Sequence, residues 1–197
     1  MIKYETDWEY SKQHKNSILP VKSSVVRYSL TITSNVINSE KSLLVLMMNP
    51  SKAGKHGIDE SDATTNNVLK IAGNPNNKYS KVIMLNVWPE YSSSGKPALP
   101  KFSYLIENFR YVNMVLDAHK KADVLLATGK LTSMLRFDYY KILSKLYIDQ
   151  RKVKVIDLVN NNKFGCHPSC QAIVRKKINL TAGNLKNVII KQDFSLK

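Results

Sequence analysis

Four short, predominantly apolar segments constrain this chain more than any other feature: residues 43–48, wholly apolar, residues 82–87, broken only by Asn86, residues 124–127, wholly apolar, and residues 153–159, broken by Lys154 and Asp157. The first two read as strands buried in a sheet and the other two as further strands. The intervening segments supply the cover. Residues 63–72, 104–121 and 131–147 carry helical periodicity, with Leu105, Phe109, Val112, Val115 and Leu116 marking the apolar face of the second. Asp62 or Ser61 is placed to cap the first helix and Gly73 to close it. Strand–helix alternation of this kind predicts an α/β protein, a three-layer α/β/α architecture with a central, mostly parallel four-stranded sheet. Residues 25–32 alternate and are β-branched, which suggests an edge strand, and a helix starting near Ser169 and a strand over residues 188–190 complete the chain. Residues 1–22 are polar and mixed, with Trp8 and Tyr10 as anchors, and read as an arm or short helix on the domain. The 197 residues suit one domain spanning 1–197, and no internal repeat or low-complexity segment interrupts it.

In a parallel sheet, right-handed crossovers place the loops that follow strands at one edge, where such sheets bind ligands. Asn49-Pro50-Ser51 follows the first run directly, Asn86 lies at the end of the second, and His167-Pro168-Ser169 follows the last. Each has an ordinary explanation. Asn-Pro opens turns, a strand-end Asn satisfies loop backbone, and a His before Pro sits in surface loops. Placed together on three strands, they favour a shared cleft.

Lys plus Arg number 30 against 15 for Asp plus Glu, a net charge of +15. The excess is uneven: residues 1–100 hold 12 basic and 8 acidic residues, and residues 101–197 hold 18 and 7. This bias points to a polyanion, nucleic acid before membrane, because no basic amphipathic helix with a broad apolar face is evident. Cys166 and Cys170 are the two cysteines, and the other histidines (His14, His56 and His119) are remote in sequence, so the expectation is reduced thiols and no metal. No run is long enough to span a bilayer and the N-terminus lacks a signal-peptide core, which predicts a cytoplasmic protein.

The ordered motifs resemble the uracil-DNA glycosylase superfamily, including its mismatch-specific branch. Met47-Met48-Asn49-Pro50 is similar to that family's first motif, Ile83-Met84-Leu85-Asn86 to its base-reading strand end, and His167-Pro168-Ser169-Cys170-Gln171-Ala172 to its late His-Pro-Ser motif. The run ending Ala127-Thr128-Gly129 is similar to its third strand. A closer likeness is to an uncharacterised bacterial family with a Leu/Met-Asn-Pro-Ser signature and a downstream Asp-x-Thr, here Asp62-Ala63-Thr64, carried on mobile elements.

The glycosylase resemblance implies a catalytic pair, Asn49 positioning water and His167 donating to the departing base. It implies base contacts from Met48, Pro50, Ser51 and Asn86, and DNA contacts from Lys52, Ser169, Gln171, Arg175, Lys176 and Lys177. It implies no cofactor, DNA as the partner, and a monomer. An amide orients water but accepts a proton poorly, so Asn49 implies slower chemistry than an aspartate. Met47 stands where the family has glycine. Ser51 stands where thymine-excluding members carry tyrosine, which opens the pocket to modified pyrimidines. No aromatic follows Asn49 at the usual spacing to stack on the base; His56, Trp88 and Tyr91 are the substitutes.

Two other functions fit the same residues. One is a non-catalytic DNA-binding module of this fold serving a mobile element, which explains the charge equally well. The other is an enzyme acting on free nucleotides, which leaves the basic second half unexplained.

Overall fold

A computed structural model describes residues 2–3, 8–12, 26–51, 53, 60–91, 102–156, 165–169, 185–194 and 196. Its elements, in chain order, are β1 (Ile2–Lys3), β2 (Trp8–Lys12), β3 (Ser29–Ser34), β4 (Ser42–Met47), β5 (Glu60–Ser61), α1 (Ala63–Gly73), β6 (Lys81–Asn86), α2 (Phe102–Ala118), β7 (Asp123–Leu126), α3 (Ser133–Ile148), β8 (Val153–Ile156) and β9 (Leu185–Val188).

The four apolar runs form the parallel centre of the sheet, in the order β6-β4-β7-β8. The sheet as a whole is wider and mixed, which corrects the four-stranded expectation. β3 joins β6 antiparallel and β9 joins β8 antiparallel, giving six strands, and β2 extends the β3 side. The physical reason lies in the connections. The short turn over residues 35–41 reverses the chain between β3 and β4, so β3 must run against β6, which is parallel to β4. Ser80 locks this turn: its N–H donates to the Lys41 carbonyl and its carbonyl accepts from the Ser34 N–H.

β3 is therefore not an edge strand, because β2 covers it through the pairs Trp8–Ser34 to Lys12–Thr31. The described parts of the first 22 residues are two strands, β2 in the main sheet and β1 paired with β5. The helix expected near Ser169 falls on residues 170–184, outside the described residues.

Alternation along β4 divides the core in two. Leu43, Val45 and Met47 pack with Val68, Leu69, Ile71 and Ala72 of α1 on one face. Leu44 and Leu46 pack with Val112, Val115 and Leu116 of α2 and with Leu135, Tyr139, Ile142 and Leu143 of α3 on the other. Each fully buried aliphatic side chain contributes about 1.5–3 kcal/mol. Helices on both faces make three layers, as right-handed crossovers require when β4 leads one way across the sheet and β7 the other. β4 and β7 are neighbours whose following loops lead to opposite layers, so a crevice opens between their C-terminal ends.

Candidate active site at the switch point

The loop after β4 carries Asn49, and the loop after β7 carries Thr128 and Gly129. The backbone holds the strand ends together: the Ala127 N–H donates to the Leu46 carbonyl at 2.9 Å. Gly129 has φ +67°, and a β-carbon there would lie 3.1 Å from the His167 Cβ. The Gly129 N–H donates to the Gly165 carbonyl at 3.1 Å. The missing side chain is what lets the segment carrying His167 lie against the end of β7. Gly165, at φ +72°, approaches even closer: a β-carbon there would overlap the Leu126 carbonyl oxygen at 1.9 Å.

The first turn of α1 ties this segment to the loop after β4. Asp62 is the N-cap; its Oδ1 accepts from the Thr65 N–H at 2.8 Å and its Oδ2 from the Ala53 N–H at 2.9 Å. A cap of this kind contributes about 1 kcal/mol. Thr65 Oγ1 lies 3.3 Å from Ser51 Oγ. On the other side, Thr64 Oγ1 lies 2.9 Å from Ser169 Oγ, and Asn67 Nδ2 donates to the Pro168 carbonyl at 2.9 Å. One helical turn thus fixes both Asn49-Pro50-Ser51 and His167-Pro168-Ser169.

The Ser169 N–H donates to His167 Nδ1 at 3.1 Å. A neutral imidazole that accepts at Nδ1 carries its proton on Nε2. Burial pushes the His167 pKa below its ordinary value, partly opposed by the negative charge of Asp62. The ring is therefore a neutral Nε2–H donor near pH 7.

Arg27, just before β3, underlies the same loop. It is 4% exposed. Its guanidinium donates to the Ala53 carbonyl through one terminal nitrogen and to Ser51 Oγ at 3.3 Å through the other. It lies 5.4 Å from the centre of the Tyr91 ring, a cation–π arrangement. Burial raises the Tyr91 pKa, against the lowering effect of Arg27.

The other residues named from sequence are placed as follows. Asn49 is half-buried and its Nδ2 donates to the Pro50 carbonyl at 3.3 Å; Pro50 is buried. Met48 packs against the α2/α3 core, and its carbonyl accepts from the Trp88 N–H. Asn86 shares the α1 face with Val82 and Met84; it is 1% exposed and its Nδ2 donates to the Arg27 carbonyl at 3.2 Å. Asn108 fixes the backbone here by donating to the Asn86 and Val87 carbonyls. Trp88 is 1% exposed and fills the core, so of the two described candidates half-buried Tyr91 is the aromatic beside the loop. Lys52, His56, Gln171, Arg175, Lys176 and Lys177 lie outside the described residues. Among the described residues, no cluster of three or more metal-ligating side chains forms, and no helix is long and apolar enough to cross a membrane.

A family model described as protein of unknown function, DUF1643, matches residues 27–171, most of the chain. The chain belongs to the DUF1643 family. No curated protein and no solved structure shows significant similarity to it. The matched segment of this DUF1643 chain begins at Arg27 and includes Asn49, the Asp62 cap, Gly129 and His167.

Arg27, Thr65, Asn67, Gly129 and Gly165 of the DUF1643 chain were not named as site residues from sequence, although Gly129 closes the third-strand run. Arg27 carried a signal, as the one charge in the otherwise apolar and hydroxylic stretch 25–32. Gly129 carried one too, as a glycine directly beyond a core strand. Thr65 and Asn67 sit among ordinary polar helix residues and carried none.

Proposed function

We propose that this DUF1643 protein is a cytoplasmic DNA glycosylase that hydrolyses the N-glycosidic bond of uracil or a modified pyrimidine flipped out of DNA. The observation that carries the reading is the state of His167: a neutral imidazole, held at Nδ1 by the Ser169 N–H, with Nε2–H left to donate. Negative charge builds on the departing pyrimidine, and a fixed neutral donor stabilises it as an oxyanion hole does. Asn49, in the neighbouring loop, orients the water that adds to C1′ as the bond to the base breaks. The water's proton passes to solvent or to the departing base. Ser51 and Tyr91 border the same loop, with Tyr91 backed by Arg27 as a surface for a planar base. The net charge of +15 supports a DNA substrate.

The test uses single- and double-stranded oligonucleotides with one uracil, followed by hot alkali to cleave abasic sites. Cleavage at the uracil that disappears in Asn49→Ala and His167→Ala supports the reading. Undiminished release in both variants rejects the roles.

A DNA-binding module without chemistry is favoured by a separate observation. The Asn86 amide is buried and engaged by the Arg27 carbonyl rather than presented to a base. That reading expects salt-dependent DNA binding and no abasic product from any base.

A further inference from the structure

The end of the sheet opposite the candidate cleft holds a groove of about 640 Å³. It forms where β4, β7 and β8 begin and β9 ends, one strand length away from Asn49. Its walls carry Lys41, Lys121, Arg151, Lys152 and Lys154, with Asp123 as their carboxylate. Asp123 is already committed: its Oδ2 accepts from the Tyr79 hydroxyl at 2.5 Å and lies 3.7 Å from Lys154 Nζ. Lys154 is held further by Asn187 Oδ1 at 2.8 Å. Arg151 is anchored by donating to the Leu116, His119 and Ala122 carbonyls at 2.7–3.0 Å, which fixes its position without neutralising its charge. Lys41, Lys121 and Lys152 are exposed. Asn76 and Asn77 add side-chain amides to the rim. An anchored, open trough with a net positive charge and amide groups suits a chain of phosphates better than one compact anion.

We infer that this groove is a second binding surface for a nucleic-acid strand, holding its phosphodiester backbone at the opposite end of the sheet from the cleft. It is a positioning surface that adds affinity without reading sequence, because its contacts are made by lysines and an arginine. The inference does not rest on the glycosylase reading, and its test measures binding alone.

The experiment compares wild-type protein with a Lys41→Glu, Lys121→Glu, Lys152→Glu variant by fluorescence anisotropy, using a single-stranded deoxythymidine oligonucleotide across a salt series. Arg151 is left intact because it holds backbone. A control variant reverses the same number of exposed charges at Arg136, Lys141 and Lys191. Circular dichroism and thermal melting establish that all three proteins are folded. The groove variant is expected to bind at least tenfold more weakly near 0.1 M salt. Its log–log salt slope should be shallower by about 2, the loss of roughly three phosphate contacts at about 0.7 each on a single strand. The control should stay within threefold of wild type. An unchanged slope in the groove variant, or equal losses in both variants, overturns the inference; the first outcome turns the groove toward an acidic protein partner.

Discussion

His167 Nδ1 accepts the backbone N–H of Ser169, two residues along the chain, at 3.1 Å. Protonation would put a hydrogen on Nδ1, facing that N–H, and would break the bond that orients the ring. Burial lowers the His167 pKa for the same reason that it disfavours the charge. The unfolded chain takes up the proton near the ordinary value of 6.5, whereas the folded chain resists it to lower pH. The unfolded state therefore binds more protons in this window, and stability contributed by His167 is full above 6.5 and lost as pH falls through the folded pKa. Nitrogen NMR of the imidazole should show the Nε2–H tautomer at pH 7 and a midpoint below 6.5. A midpoint at or above 6.5 would contradict the buried, neutral donor.

Gly129→Ala should damage the site more than the fold. The new β-carbon meets the His167 Cβ at 3.1 Å on a backbone at φ +67°. The backbone strain costs about 1–2 kcal/mol, and the His167 segment has to move away. On the proposed glycosylase function, base release in single turnover should fall more than tenfold while the urea midpoint drops only modestly. Gly165→Ala is the harsher change, because its β-carbon would strike the rigid Leu126 carbonyl. It should lower the midpoint well beyond Gly129→Ala, and a reversed order would show that the backbone here yields easily.

Arg27→Met should destabilise the protein by roughly 2–3 kcal/mol, the scale of a lost charge-assisted hydrogen bond with its buried acceptor left unpaired. Arg27→Lys should recover little of this, because one ammonium cannot reproduce the fork that joins the Ala53 carbonyl to Ser51 Oγ. Urea titration of both variants is the check. Wild-type stability in Arg27→Lys would show that charge alone matters.

The parallel centre of the fold was legible because its signal is burial. Leu43 to Met47 and Val82 to Leu85 are apolar at every position, and only a strand covered on both faces requires that. β2 was not legible, because Trp-Glu-Tyr-Ser-Lys pairs through its backbone at the rim of the sheet, where composition says little. At the candidate site, Asn49 and His167 could be proposed from sequence because each follows a core strand and belongs to a motif. The environment of Asn86 was hidden in strand parity: its alternation with Met84 and Val82 turns it toward the α1 side, where the Arg27 carbonyl accepts its amide. The linking role of α1 was hidden for a different reason, since contacts such as Thr64 to Ser169 join residues a hundred positions apart.

That long-range contact supplies a direct test of the linking turn. Thr64→Val and Ser169→Ala each remove one hydroxyl of the 2.9 Å pair, and the double variant removes both. Once either hydroxyl is gone the other has lost its partner, so the second substitution should add little. A double-mutant cycle on urea stability should give a coupling of about 0.5–1.5 kcal/mol. The Ser169 backbone N–H remains in every variant, so the His167 ring keeps its acceptor contact and loses only the support behind it. On the proposed glycosylase function, Thr64→Val should therefore lower base release severalfold, while leaving the His167 tautomer unchanged by NMR. Strict additivity in the cycle would mean that α1 does not hold the His167-Pro168-Ser169 segment through this pair, and would leave Asn67 and the Pro168 carbonyl as the remaining described tie.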